Sequence, residues 1–412
     1  MILPRSREAC LELDAADPLP SRREMFRLPP GVIYLDGNSL GALTHAAAQR
    51  VQQTVEQQWG RDLITSWNVH GWIDMPARLG ARIAPLIGAA PGTVVMVPTV
   101  TQGMSSILSA IDFPPERNEV VMTALDFPSV RYAYDALAPR LGARVTVVPS
   151  EDGLGIDLDR ILAAITERTR LVAISHVLFR SAYIMDAAAI CAKAKQVGAL
   201  VALDAYHSVG VIPVDVQALG ADFLCGGVLK WLCGGPGGCF LYASPQASAQ
   251  LAPALTGWQA HRAPFAFADR MEYASGGWRW LGGTPVVPAL FAGLEGPRII
   301  AEAGLDAIRA KSTRQTTHLI AMADERGWRV HAPRDAERRG GTVAFDVPQG
   351  ADVARALLAR DVVIDYRPGA GIRVAPHFYT TDAELDACVA AMDEILATGA
   401  WKAFAGVQST VT

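Results

Sequence analysis

Along the middle of this chain, short and nearly uninterrupted apolar runs alternate with longer stretches in which apolar residues recur every three or four positions. The runs occupy residues 94–97, 120–122, 145–148, 171–174, 200–203 and 223–225. Short runs bounded by polar or glycine-rich turns are the pattern of strands buried on both faces, and the stretches between them carry the period of amphipathic helices. This repeated order over residues 90–240 predicts a mainly parallel sheet covered on both sides, an α/β unit whose ligands gather at the carboxyl ends of the strands.

The flanks are patterned differently. Residues 1–30 predict a short helix and a polar lead ending at Pro29-Pro30, and the strand that follows turns at Gly37-Asn38-Ser39. Helical spacing returns over residues 44–60 and 75–87. A long helical region, 288–326, leads to strands expected near 328–331, 341–345, 362–364 and 372–374 and to a closing helix over 382–397. The chain therefore divides into an N-terminal segment (1–45) joining a small domain, a large domain (46–290) and a small α+β C-terminal domain (291–412).

Composition narrows the function classes. With 412 residues, 50% hydrophobic and 19% charged, the chain can bury a large core, and disorder is excluded. A formal charge of −4 gives no basis for nucleic acid or an anionic membrane as partner. No apolar run reaches membrane-spanning length and the first residues turn polar quickly, so a cytoplasmic setting is expected. The six cysteines lack the paired spacing of metal ligands and read as small buried thiols of a reduced compartment.

The chemistry concentrates between residues 200 and 238. One apolar run delivers Asp204 at its end, followed by His207, and the next breaks on glycines around Lys230. A lysine set between apolar neighbours loses hydration, so its amine is more easily deprotonated and can serve as a Schiff-base nucleophile. An acid at one strand end and such a lysine after the next suit pyridoxal 5'-phosphate, where a carboxylate keeps the pyridine nitrogen protonated and a lysine holds the aldehyde. Alone, a strand-end Asp is often a helix cap and a Lys a surface residue. The surroundings add weight. Thr99-Val100-Thr101 stands between a strand and an apolar helix, a phosphate site by its free helix amides, although an ordinary threonine cap has the same pattern. Phe127, fixed before Pro128, is placed to stack on a flat ring. The stretch from Trp67 through His70 to Trp72 reads equally as the wall of an aromatic-ligand pocket and as a core-edge cluster. Arg373 offers two parallel hydrogen bonds to a carboxylate, with a salt bridge as the ordinary alternative.

In combination, Asp36-Gly37-Asn38-Ser39, Ser66-Trp67-Asn68 with Gly71-Trp72, Phe127-Pro128-Ser129, Phe179-Arg180-Ser181, Asp204 with His207-Ser208, Lys230 before Gly234-Gly235-Pro236-Gly237, Gly257-Trp258 and Gly283-Thr284-Pro285 resemble kynureninase. The resemblance runs from about residue 30 nearly to the end. It implies the class V aminotransferase fold (fold type I), with a large seven-stranded type of sheet and a smaller C-terminal domain. It further implies cleavage of the Cβ–Cγ bond of L-kynurenine or 3-hydroxykynurenine to an anthranilate and alanine. By it, Lys230, Asp204 and His207 are catalytic, and Val100, Thr101 and Phe127 bind the cofactor. Trp258 and Thr284 reach the phosphate from a neighbouring subunit, which makes the active site that of a homodimer, and Asn38, Ser39, His70 and Arg373 contact substrate. The chain departs from the family at Leu229, where a tyrosine is usual, and at Val130, where an acid is usual. Those departures keep two other readings in view: a kynureninase-like transaminase or lyase acting on a different amino acid, and a non-catalytic protein that binds the cofactor.

Overall fold

The computed structural model describes residues 6–406. Its strands are β1 (Ile33–Tyr34), β2 (Val94–Val97), β3 (Glu119–Thr123), β4 (Arg144–Val148), β5 (Thr169–Ser175), β6 (Leu200–Asp204), β7 (Phe223–Gly227), β8 (Cys239–Ala243), β9 (Val343–Phe345), β10 (Val362–Val363), β11 (Asp365–Arg367) and β12 (Gly371–Val374). Seven of them form one sheet in the order β2-β8-β7-β6-β5-β3-β4, parallel except for β8, which runs antiparallel to both of its neighbours. The expected α/β architecture is therefore present, with β6 at the middle of the sheet.

Alternation of side chains sorts the sheet's residues into two cores. Val121, Val172, Leu203, Leu224 and Phe240 face one helical layer, whereas Val120, Leu171, Ala202, Phe223 and Leu241 face the other. Both sets are apolar because both faces are covered, which is why the sequence shows runs rather than alternation. A third core gathers Leu35, Leu319, Phe345, Leu357, Val374 and Met392. The change of core falls inside the helix Leu305–Glu325, whose Ile308 belongs to the first core and whose Leu319 and Met322 belong to the third.

Near the third core, β11-β12-β9 form an antiparallel sheet and β1 pairs in parallel with β10 through Ile33 and Val362. The start of the chain thus lies against its last third. Three local expectations are corrected. Residues 328–331 form no strand; Val330 makes only an isolated bridge to Phe345. The helical region near 288–326 is three helices, Val287–Gly293, Glu295–Ala303 and Leu305–Glu325. The last two part at Gly304, whose φ of 86° a residue with a side chain rarely adopts. The helix begun at His45 passes into a π-helical turn, Thr54–Trp59, instead of continuing as a regular helix.

Candidate active site

Strand β6 ends at Asp204, which lies in register with Ser175 of β5 and Cys225 of β7, so its carboxyl sits at the centre of the sheet's carboxyl edge. Asp204 is 5% exposed and accepts a hydrogen bond from the Tyr206 amide at 2.9 Å. Burial raises its pKa to about 6, against a smaller lowering by that amide and by Lys230. A carboxyl held this way gains most when a cationic partner arrives beside it.

Lys230 reaches the same edge from the loop after β7. Its Nζ lies 2.8 Å from His207 Nε2, and 4.9 and 5.8 Å from the ring centroids of Tyr206 and Phe127. Desolvation, followed by the charge of Arg373, lowers its pKa to about 8. His207 is pushed well below the ordinary histidine range by burial and by the nearby Lys230 and Arg373 charges, so it stays neutral. With Lys230 protonated, its ammonium donates to Nε2, which assigns the ring proton to Nδ1.

The backbone around the lysine is braced. Gly41 donates to the Leu229 carbonyl at 2.7 Å, and a Cβ on Gly41 would lie 2.2 Å from the Lys230 carbonyl oxygen. His377, stacked on Tyr379 at 4.5 Å, bonds the Trp231 carbonyl through Nε2 at 3.1 Å. Only a residue without a side chain fits at position 41. The lysine is therefore fixed by the N-terminal turn on one side and by the C-terminal region on the other.

One cavity of about 450 Å³ gathers these groups, within the roughly 300–1,000 Å³ of small-molecule sites. Its walls include Asp204, His207, Lys230, Phe127, Val100, Thr101 and Ser39. The helix Val100–Ser109 opens onto it: Thr99 caps Gln102 at 3.1 Å, which leaves the Val100 and Thr101 amides without intrahelical partners. Phe127 caps the helix Pro128–Leu137 and packs edge to face on Phe179 at 5.2 Å. Unpartnered amides at a helix N-terminus, a buried carboxyl, a desolvated amine and an aromatic face are the set of groups pyridoxal phosphate requires, and the residues that line the cavity fit it.

The other candidates stand elsewhere. Arg373, 3% exposed, lies behind the cavity wall with Nε 2.6 Å from Asp365 Oδ2, a second bond from Nη2 to the same oxygen, and Nη1 on the Phe179 carbonyl. Asn38 is buried beside it. With its amide turned to suit its neighbours, it donates to Asp36 at 2.8 Å and accepts from Arg373 at 3.3 Å. His70 pairs with Asp62 at 2.7 Å, and Trp258 packs on Trp67 at 5.7 Å and Phe265 at 5.6 Å. Thr284 is exposed. None of these five lines the cavity. Tyr206, to which the sequence reading gave no role, does line it. The signal was available: a polar aromatic side chain stands between Asp204 and His207 at a strand end.

Comparisons with known proteins establish the family and the fold. Residues 76–384 match the family model "Aminotransferase class-V". The chain is 36% identical to a kynureninase of Burkholderia pseudomallei (strain 1106a) over 97% of each chain. It is 37% identical to a kynureninase of Pseudomonas fluorescens over 96% of this chain and 97% of the other. Among solved structures, a cysteine desulfurase from Thermococcus onnurineus superposes with a TM-score of 0.79 at 21% identity, covering 92% of this chain and 98% of that one. A C-DES variant with glycine covalently linked to its pyridoxal-phosphate cofactor gives 0.80 at 20%, covering 90% and 98%. At such identities the two structures establish fold alone. Taken with the kynureninase relatives, the family match identifies this chain as a kynureninase-like member of the class V aminotransferase family, a pyridoxal-phosphate-dependent enzyme.

Proposed function

We propose that the enzyme hydrolyses the Cβ–Cγ bond of L-kynurenine or 3-hydroxykynurenine, releasing an anthranilate and L-alanine, and does so in the cytoplasm. The observation that carries this reading is the convergence of Lys230, Asp204, Phe127 and a helix N-terminus on one cavity, in a chain that aligns with kynureninases over 97% of its length. The Val100 and Thr101 amides would hold the cofactor's phosphate, Asp204 would pair with its ring nitrogen, and Phe127 would cover its ring. Bound there, pyridoxal phosphate supplies an electron sink for charge developing at the substrate Cα.

The chain's own side chains do the rest. An amine with a pKa near 8 exists in both protonation states around neutrality, so Lys230 can take a proton from Cα and return it. Neutral His207 accepts from Lys230 Nζ and holds the amine towards the cavity. Ser39 is on the cavity wall to meet substrate. Arg373 keeps Nε on Asp365 and turns Nη1 to the substrate carboxylate, with Asn38 guiding that edge. Trp258 and Thr284 serve the cavity of a second copy in a homodimer.

One observation favours a second reading, in which a different amino acid is the substrate. Leu229 lines the cavity with a side chain that can neither give nor take a proton. Incubating cofactor-loaded protein with each kynurenine separates the two. Equal amounts of anthranilate (or its 3-hydroxy form) and alanine are expected, and neither product, with the cofactor bound, would move the assignment to another amino acid.

A further inference from the structure

We infer that Tyr206 is an additional cofactor-binding residue, whose phenol donates a hydrogen bond to the phosphate group held at the N-terminus of the helix Val100–Ser109. The inference rests on the cofactor reading of the cavity and is independent of which amino acid is the substrate.

Tyr206 leaves the end of β6, with its amide tied to Asp204 at 2.9 Å. Its ring does not stay over β6. An ideal Cβ on Gly227 would lie 1.9 Å from Tyr206 Cζ and 2.1 Å from its hydroxyl oxygen, so the phenol is seated on the bare backbone of the last residue of β7. Any side chain at position 227 would displace it. The sheet's order gives the direction in which the phenol points. Beyond β7 lie β8 and then β2. Gly227 pairs with Cys239, and Cys239 pairs with Val97, on one line across the three strands. Val97 is the last residue of β2, and Thr99 caps the helix that follows. The tyrosine thus extends from the strand bearing Asp204 towards the helix amides. It packs on the core that contains Val97, Val100 and Met104.

Its chemistry suits the task. The Tyr206 hydroxyl has no hydrogen-bond partner among the described residues, although it stands in a cavity wall. Burial raises its pKa above the ordinary tyrosine range, so the group keeps its proton and is a donor at any working pH. Lys230 Nζ lies 4.9 Å from the ring centroid, so the ring itself is occupied in holding the amine. Leu229 offers no donor on this wall, which leaves Tyr206 as the phenol on this side of the cavity.

The test compares two probes that differ only in the phosphate. Equilibrium binding of pyridoxal phosphate and of pyridoxal is measured on apo wild type and on Tyr206→Phe, with circular dichroism to verify folding. Removing a hydrogen bond to a charged group should weaken pyridoxal phosphate by roughly ten- to a hundredfold and leave pyridoxal within about twofold. Gly227→Ala, which dislodges the ring but keeps the hydroxyl, should also weaken pyridoxal phosphate. Unchanged pyridoxal phosphate affinity in Tyr206→Phe, or an equal loss for both probes, would overturn the assignment. Failure of the wild type to bind pyridoxal phosphate would instead overturn the cofactor reading itself.

Discussion

Two buried charged clusters lie within reach of one another, and they are built on opposite rules. Around Arg373 the charges pair with each other: Asp365, fully buried, takes Nε and Nη2 of Arg373 and also Arg367 Nε at 3.1 Å, all on Oδ2, while its Oδ1 has no hydrogen-bond partner among the described residues. Around Lys230 they do not. The amine has a neutral histidine and two aromatic faces, Asp204 has a single backbone donor, and the Tyr206 hydroxyl and two helix amides have no partner among the described residues. A cluster whose opposite charges pair fixes its arginine in place, whereas one that leaves donors and acceptors facing a cavity is prepared for a cofactor. The difference lies in partners, which the sequence alone does not show.

Removing one member from each cluster should expose that difference. Asp365→Ala leaves the Arg373 guanidinium buried without its counter-charge and should cost about 3–5 kcal/mol of apo stability, read from chemical denaturation. Lys230→Met removes a charge that burial already disfavours, so the apo variant should be within about 1 kcal/mol of wild type, or above it. The sign follows from the lysine's pKa, which falls from 10.5 to about 8 on folding. Wild type carries the cost of the buried ammonium below pH 8 and sheds it as pH rises from about 8 to 10.5, so any gain in the methionine variant is confined to the lower range. Comparable large losses in both variants would erase the distinction.

A smaller effect sharpens the comparison between two buried lysines. Lys311 is committed to Asp17 at 2.9 Å and to the Phe378 carbonyl at 2.9 Å, whereas Lys230 faces the cavity. In apo enzyme treated with an amine-acylating reagent and mapped by mass spectrometry, modification of Lys230 should speed up by about tenfold between pH 7 and 9 and level off above. Lys311 should remain unmodified across the range. Equal reactivity of the two lysines would argue that the cavity does not select Lys230.

How much was legible beforehand follows the same division. Apolar runs placed the parallel strands, and strand ends placed Asp204 and Lys230, because a doubly covered sheet admits polar residues only where strands stop. β8 escaped notice because its five residues follow directly on the glycine run after Lys230, which reads as a loop. The commitment of Arg373 to Asp365 was illegible, since it joins neighbouring strands β11 and β12 whose register is set by tertiary pairing at Asp365 and Arg373. Tyr206 was visible but its direction was not: only the bare backbone at Gly227, one strand over, shows where the ring goes. The stretch from Trp67 to Trp72 reads as a pocket wall or a core edge, and Trp67 packs with Trp72, Trp258 and Phe265 in a cluster outside the cavity.

The central claim is that this cavity directs one lysine to the cofactor. Borohydride reduction of protein loaded with pyridoxal phosphate, followed by peptide mass mapping, locates the covalently attached group. The account predicts attachment to Lys230 alone, at one group per chain; attachment to Lys311 or another lysine, or none, would contradict it.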